Sequence, residues 1–370
     1  MSSASDPAES DPADPTPTAS HSGRRSGRFW AMIGFAVLTF LAIAWSIGWV
    51  LLSINLRASI DNWMDYRRAV GDRLTHGDRV LDGYPFRIRF TYVDVEWIRV
   101  DGDRRLLAST DRLAVSARPW RPFRLRLSSP GPVAGAWQAP SLEVSLTAMS
   151  AQGVVGTTPQ ALDHLELDLR EAVAFDRDGR VIARAERLAL DADPSPAAAP
   201  DETGISTTLQ VSLLAEALEP TDLLISHLPF EGPADGRLRA AVRGPLPISL
   251  DPTSLALWRD AGGVIDVDHL GLNWRPMDMT AEGTLTLDGL MRPEGAATAE
   301  IRGLPAMIDR AVTQGLLAED MAALLRLATA AFSRTASDGG SPSVRAPVTI
   351  QDGRLAVGPV KLFRVPSLVR

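Results

Sequence analysis

The stretch Leu165-Glu166-Leu167-Asp168-Leu169 decides the fold class, because its apolar and charged residues alternate without interruption. Successive side chains of a β-strand point to opposite faces, so this alternation places three leucines on one face and both carboxylates on the other. A helix would instead distribute the same leucines around its circumference. The stretch is therefore predicted to be a strand with one apolar side and one side that faces water.

Runs with the same alternation recur along most of the chain, separated by Gly, Asp or Pro turns such as Asp352-Gly353. The clearest lie at 86–92, 113–115, 125–127, 142–146, 188–190, 209–213, 238–240, 265–267, 270–272, 285–287, 348–350 and 355–357. Short turns between consecutive strands are typical of antiparallel meanders. The chain is therefore predicted to be mainly β (α+β), with a large curved antiparallel sheet.

The first long run contains a change of register. Its apolar positions are even-numbered up to Tyr92 and then continue at Val93, Val95 and Trp97. A shift by one residue within a strand indicates a β-bulge. The Gly83-Tyr84-Pro85 stretch in front of this run is predicted to be a turn, since glycine and proline supply the backbone angles that turns need.

The segment 305–334 returns to a helical period and is predicted to form a C-terminal helical pair. Pro305 suits a first helical position and Gly315 suits a break between two helices. The expected apolar face, which is also the candidate apolar groove, consists of Met321, Leu324, Leu325, Ala328 and Phe332. Such a face must be buried, and the sheet offers the large apolar surface, so the pair is predicted to pack on the sheet.

A run without charged residues extends from Phe29 to Leu56, directly after a cluster of arginines at 24, 25 and 28. A helix of this length spans about 40 Å, whereas the hydrocarbon core of a bilayer is ~30 Å thick. The residues expected to anchor this transmembrane helix are Phe29, Trp30, Trp45, Trp49 and Leu56. A cleavable signal peptide is the alternative, but its apolar run measures ~7–15 residues, so an uncleaved single-pass anchor is favoured.

The anchor divides the chain into segments with different expected environments. The basic cluster precedes the apolar run, which predicts an N-terminus in the cytoplasm and a bulk of the chain in the periplasm, at the inner (plasma) membrane. Residues 1–28 are predicted to be a disordered cytoplasmic tail, and 57–77 a juxtamembrane helix. Residues 78–370 form the predicted β-rich domain, whose division into two halves by a Pro- and Ala-rich loop at 192–208 stays open.

Composition and motifs exclude several classes of function. The net charge of −7 argues against a nucleic-acid partner, and the chain has no cysteine for thiol chemistry or disulfides. The five histidines are scattered, so neither a metal site nor a cofactor is predicted. The sequence also lacks the G-x-S-x-G and phosphate-binding glycine motifs, so no catalytic residue is predicted.

Several short motifs follow one another along most of residues 57–368. They are Gly83-Tyr84-Pro85-Phe86-Arg87, the stretches 257–267, 272–274 and 282–288, Gly303, the stretch 350–355, Gly358-Pro359-Val360 and Pro366. Together they resemble an uncharacterised alphaproteobacterial envelope family, domain of unknown function 2125. Trp274-Arg275-Pro276 departs from the Trp-Gly-Pro expected of the family. The family has no assigned activity, so the resemblance implies no catalytic residues. At the level of strand pattern, the chain also resembles the AsmA-like envelope proteins.

Two hypotheses for function follow from these features. The first is a non-enzymatic module anchored in inner-membrane lipid, which binds or shields lipid or another apolar ligand on the curved sheet. The alternative is a structural or scaffolding protein that binds other envelope proteins through sheet edges or exposed patches. They differ in one property, since a ligand module needs an open apolar face. A membrane-bound hydrolase is disfavoured, because no pair of nucleophile and base is identified.

Overall fold

The computed structural model describes residues 24–139, 142–157, 162–194, 207–221, 228–245, 252–334, 343–358, 360–364 and 367. Its helices are α1 (Arg24–Ala69), α2 (Pro252–Asp260), α3 (Leu304–Thr313) and α4 (Glu319–Phe332). Its strands are β1 (Arg73–Thr75), β2 (Arg79–Asp82), β3 (Ile88–Asp101), β4 (Arg104–Arg118), β5 (Arg121–Ser129), β6 (Val133–Ala139), β7 (Leu142–Thr157), β8 (Leu162–Phe175), β9 (Val181–Pro194), β10 (Thr207–Pro220), β11 (Ala234–Arg243), β12 (Val264–Trp274), β13 (Met277–Leu287), β14 (Pro293–Arg302), β15 (Ser333–Arg334), β16 (Ser343–Gln351), β17 (Arg354–Val357) and β18 (Val360–Arg364).

The strands form one antiparallel sheet, in which most neighbours in space are also neighbours in sequence. The long strands β4 and β7 each pair with two shorter ones, β5 and β6, at different points along their length. The sheet then continues from β7 to β14 as a meander of hairpins, and β16 pairs next to β14. The prediction of a mainly β fold with a large antiparallel sheet and a C-terminal helical pair is confirmed.

The sheet is continuous across the stretch at which a division into two halves had stayed open. β9 extends to Pro194 and β10 begins at Thr207, so both ends of the predicted loop are strand residues. These two strands pair with each other from Pro194 opposite Leu209 to Ala183 opposite Pro220. Residues 195–206 of the expected loop lie outside the described part of the chain. A composition rich in proline and alanine marked a connection between paired strands rather than a domain boundary.

The bulge predicted in β3 is not observed, because the ladder with β4 keeps one register along its whole length. Val93 lies opposite Arg112 and Val95 lies opposite Thr110, so Asp94 and Asp111 are skipped together and neither strand has an extra residue. Asp94 has a φ of +51°, in the left-handed region. Around this residue the less exposed positions of β3 change from even to odd numbers without a change of register.

Helix α1 ends at Ala69, whereas the juxtamembrane helix was expected to continue to about residue 77. Gly71 follows with a φ of +100°, which residues with a side chain rarely adopt, and this conformation ends the helix. Leu74, expected on the helical stripe, belongs to β1 and lies opposite Trp97 of β3. The helical prediction failed there because Leu74 gains burial by pairing with the sheet rather than by continuing the stripe.

The part of α1 that precedes residue 55 is long and apolar enough to cross a membrane. Phe29 and Trp30 are 62% and 67% exposed, and Trp45 is 41% exposed, as a lipid-facing helix requires. Trp49, expected as an anchor near one end of the span, is buried, and so is Ser53 one turn further along the helix. Of the predicted N-terminal tail, residues 1–23 lie outside the described part.

Candidate functional site

One apolar row crosses twelve strands of the sheet without a break. Residues directly opposite one another in antiparallel strands point to the same face, so the register alone defines the row. From β3 to β16 its members are Phe90, Val115, Leu127, Gly153, Leu167, Leu190, Leu213, Leu238, Leu270, Ala281, Ala299 and Ala346. We call this set the apolar row.

The next row along the strands points to the opposite face and is mostly polar. From β3 to β12 it consists of Arg89, Ser116, Arg126, Val154, Glu166, Asp191, Ser212, Arg239 and His269. The strands from β3 to β12 are therefore aligned so that apolar side chains lie next to apolar ones and the mostly polar row lies on the other face. The sheet has one continuous apolar face and one face built to contact water.

Exposure along the apolar row is low near its two ends and highest in the middle. Phe90 in β3 and Ala299 in β14 are 2% and 1% exposed. In contrast, Leu167 in β8 and Leu213 in β10 are 37% and 43% exposed, and Leu190 between them is half-buried. The central strands thus carry leucines that the described part of the chain does not cover fully. This open stretch, Leu167–Leu190–Leu213, is the candidate functional site.

Small side chains form the buried layer next to this open stretch. Ala148, Ala172 and Ala185 of the adjacent strands β7, β8 and β9 cluster with exposures of 2–5%. The half-buried Leu169 and Leu188 pack against them. Because alanines fill little volume, the larger leucines beside them remain accessible.

Several of the motifs that carry the family resemblance occupy structural positions towards the other end of the sheet, around β11 to β13. Trp258 of α2 is 4% exposed, donates its indole N–H to the Arg243 carbonyl at 3.0 Å, and clusters with Leu255 and Leu287. A Cβ at Gly263 would lie 2.2 Å from the Trp258 ring, so this position requires glycine. Helix α2 therefore covers the end of the sheet.

Trp274 and Gly303 serve a similar structural purpose at the turn between β12 and β13. The Trp274 ring stacks on Phe230 with centroids 4.3 Å apart and donates its N–H to the Gly232 carbonyl at 3.1 Å. Gly303 has a φ of +81°, and a Cβ there would lie 1.9 Å from the Pro276 carbonyl oxygen. These residues fix the turns at this place in the sheet.

The helix face predicted as a groove lining is turned outward. In α4, Ala322 is fully buried and Arg326 donates to the Asp309 carboxylate of α3 at 2.7 Å, so this side of α4 faces α3. On the other side, Met321, Leu324 and Leu325 are 49%, 62% and 38% exposed. The prediction that they pack on the sheet is wrong, because an arginine ion pair and an alanine contact orient the helix instead. The side chains of Ala328 and Phe332 lie outside the described part.

A cluster that sequence reasoning missed lies on the polar face between β8 and β9. His164 Nδ1 is 2.7 Å from Asp193 Oδ1, and ligand atoms of His164, Asp191 and Asp193 all lie within 4.8 Å of one another. Burial, and then repulsion from Asp193, raises the pKa of the Asp191 carboxyl. This donor set could hold a divalent cation, but the hydrogen bond between His164 and Asp193 accounts for the arrangement by itself. The His-x-Glu and Asp-x-Asp spacings of consecutive strands were the available signal.

A shallow pocket of about 520 Å³ also lies on the polar face, between β2, β3 and β4. Its lining includes Arg87, Arg89, Arg112 and Asp82, and Asp82 is the single carboxylate among the lining residues. The described lining contains no histidine.

Comparison with known proteins gives one family. A family model described as "uncharacterized protein conserved in bacteria (DUF2125)" matches residues 49–366. A search of curated proteins found no significant match.

Proposed function

The chain belongs to the DUF2125 family of uncharacterised bacterial proteins, and from that premise we propose a non-enzymatic, membrane-anchored envelope protein that binds lipid acyl chains on its sheet. The observation that carries this proposal is the apolar row, whose central residues Leu167 and Leu213 are 37% and 43% exposed. A protein that fills its sheet face with its own helices would bury these leucines.

The apolar face suits an acyl chain in length and chemistry. Neighbouring strands lie ~4.8 Å apart, so a row across twelve strands measures about 50 Å along the sheet. One acyl chain reaches through half of a ~30 Å hydrocarbon core, so the row is long enough to accommodate one. Burial of apolar surface contributes roughly 25 cal/mol per Å² without directional contacts, so such a site needs no reactive or charged residue.

The position of the proposed site in the cell follows from the apolar helix. We propose that the helix stays uncleaved in the inner membrane, with the N-terminus in the cytoplasm and the sheet in the periplasm. The length of the apolar run and the arginines before it support this arrangement. A sheet tethered in this way stays next to the lipids that it is proposed to bind.

Photocrosslinking of the full chain in its own membrane tests the proposal. A p-benzoylphenylalanine at Leu213 places the reactive group on the apolar face, and the same residue at the neighbouring Ser212 places it on the polar face. Cells are labelled with radioactive phosphate and irradiated, and the purified chain is assayed for covalently bound phospholipid. We expect a lipid adduct at position 213 and none at position 212.

The same experiment separates the alternatives. The absence of lipid adducts at both positions 213 and 167, with the chain present in the membrane at its normal level, would contradict the proposal. Crosslinks from position 213 to another protein, without lipid, would instead support the scaffolding hypothesis. Equal lipid labelling at 212 and 213 would indicate collision with the bilayer rather than binding on one face, and would also overturn it.

A further inference from the structure

Two loops meet at one end of the sheet. The turn 83–87 connects β2 to β3, and the backbone N–H of Arg87 donates to the Gly83 carbonyl at 2.9 Å within it. The β4–β5 hairpin closes at Arg118, which lies opposite Arg121. Because Ile88 lies opposite Ala117, the turn and the hairpin are neighbours. We call residues 83–87 together with 118–124 the aromatic–arginine tip.

Four aromatic side chains project from this tip. Tyr84 and Phe86 of the turn are 57% and 67% exposed, and Trp120 and Phe123 of the hairpin region are 54% and 59% exposed. Four large exposed rings on two adjacent loops form a patch of the kind that marks an interaction site. Aromatic rings with a polar edge favour the interface between water and lipid.

The tip is also strongly basic. No carboxylate occurs between Asp111 and Glu143, whereas this interval contains five arginines, at 112, 118, 121, 124 and 126. Among the residues that the structure describes, Arg118, Arg121 and Arg124 form no ion pair. The protein as a whole has a net charge of −7, so this concentration of positive charge is local. Such a patch is complementary to a surface of anionic groups.

Contacts of α1 with the sheet show which end of β3 the tip occupies. Asp61 accepts a hydrogen bond at 2.6 Å from Arg79, which lies opposite Tyr92 of β3. Two and six residues further along the helix, Trp63 and Arg67 contact Trp97 of β3, at distances to the ring centroid of 6.4 and 5.8 Å.

The helix and β3 therefore run in the same direction between residues 61 and 67. The beginning of this helical segment lies at the same end as Ile88, where β3 begins and the tip is formed. The segment follows directly on the apolar run, which ends at Leu56. The aromatic rings and arginines thus lie at the end of the sheet from which the chain continues into the proposed anchor.

We infer that the aromatic–arginine tip is a second membrane contact, in which the rings insert at the interface and the arginines bind anionic phospholipid headgroups. This inference rests on the proposed membrane anchor, but it is independent of lipid binding by the apolar face. The contact would hold the sheet in a fixed orientation to the bilayer, which a single helix alone does not impose.

The absence of cysteine allows a direct test on the full chain. Phe123→Cys places a single thiol in the tip, and Asp103→Cys places one in the exposed turn at the opposite end of β3 and β4. Each variant is labelled with the fluorophore NBD and reconstituted into vesicles of phosphatidylcholine, with or without phosphatidylglycerol. Quenching by spin-labelled phospholipid then reports contact with the bilayer.

We expect loss of most NBD emission at position 123 in vesicles with phosphatidylglycerol, and no loss at position 103. Replacing Arg118 and Arg121 by glutamine should abolish the loss at 123. Equal quenching by the spin-labelled phospholipid at positions 123 and 103 would overturn the inference. A loss of NBD emission at position 123 that depends on protein concentration would also overturn it, because this dependence indicates contact with a second copy of the chain. A Leu38→Cys probe in the apolar run is the reference. Quenching at position 38 without quenching at position 123 would contradict the membrane contact of the tip alone. No quenching at position 38 would contradict the proposed membrane anchor.

Discussion

Asp72 holds a charge at a nearly buried position where α1 meets the sheet. Its side chain is 4% exposed, accepts a hydrogen bond at 2.7 Å from the Nε of Arg67 and another at 2.9 Å from the indole of Trp97. Arg67 in turn lies 5.8 Å from the Trp97 ring. A single carboxylate therefore joins the last turn of the helix, the turn at Gly71 and strand β3.

Replacing Asp72 by asparagine should destabilise the protein substantially. The change leaves the Arg67 guanidinium without its carboxylate. We expect the free energy of unfolding to fall by about 2–4 kcal/mol. This loss is somewhat smaller than for a fully buried ion pair, because Arg67 keeps some solvent contact. Urea unfolding of the full chain in detergent micelles, followed by circular dichroism, measures the loss. Asp65→Asn is the control, because the Asp65–Arg68 pair is exposed and worth less than about 1 kcal/mol. Equal losses would contradict this account.

At the scale of the element, α4 shows how an amphipathic helix can present its apolar side to solvent. Arg326 bridges Asp309 of α3 and Glu319 at the start of α4, with N–O distances of 2.7 and 2.9 Å. The hydrogen bond to Glu319, followed by that to Asp309, raises the pKa of the Arg326 guanidinium. The fully buried Ala322 completes this contact face.

Two substitutions in α4 distinguish the observed orientation from the predicted one. Leu324→Gln should change the free energy of unfolding by less than about 0.5 kcal/mol, because this side chain is 62% exposed. Ala322→Leu should cost roughly 1–3 kcal/mol, because the added atoms have no space on the buried side. Denaturant unfolding of both variants provides the measurement. A loss of stability above about 2 kcal/mol for Leu324→Gln would show that this side of α4 is buried, as the sequence predicted.

At the scale of the whole molecule, the ladder between β9 and β10 makes the sheet one structural unit. Val211 of β10 lies between two strands, opposite Ala192 of β9 on one side and Ala240 of β11 on the other. Residues 55–370 accordingly form one compact unit, and the first 54 residues form another. Loss of pairing at β10 should therefore affect strands on both sides of it.

A proline at Val211 should lower the stability of both flanks together, because proline removes a ladder hydrogen bond in a central strand. Hydrogen exchange measured by mass spectrometry on peptides from 88–118 and 264–302 reports the two flanks separately. We expect both to lose protection by the same factor. Val80→Pro is the control, because β2 pairs on one side within the described residues. It should lower the protection of the peptides from 88–118 and leave that of the peptides from 264–302 unchanged. Loss confined to one flank in the Val211 variant would favour two halves.

The sequence by itself determined most of the strands, the one-sided character of the sheet and the apolar helix. Each of these follows from side-chain periodicity or run length within a few consecutive residues, so neighbours in the chain contain the signal. The alanine-rich strands β6 and β14 lack a clear alternation and were not predicted. The apolar row was implied strand by strand, but its continuity was not.

Tertiary structure alone decided which residues stand side by side. The alignment of Leu167, Leu190 and Leu213, and the approach of His164 to Asp193, depend on the register between strands, which no single strand specifies. The outward face of α4 depends on an ion pair to another helix, and the end of α1 depends on the burial of Leu74 in the sheet. Local periodicity identifies an apolar side, but competition between possible partners determines whether that side is covered.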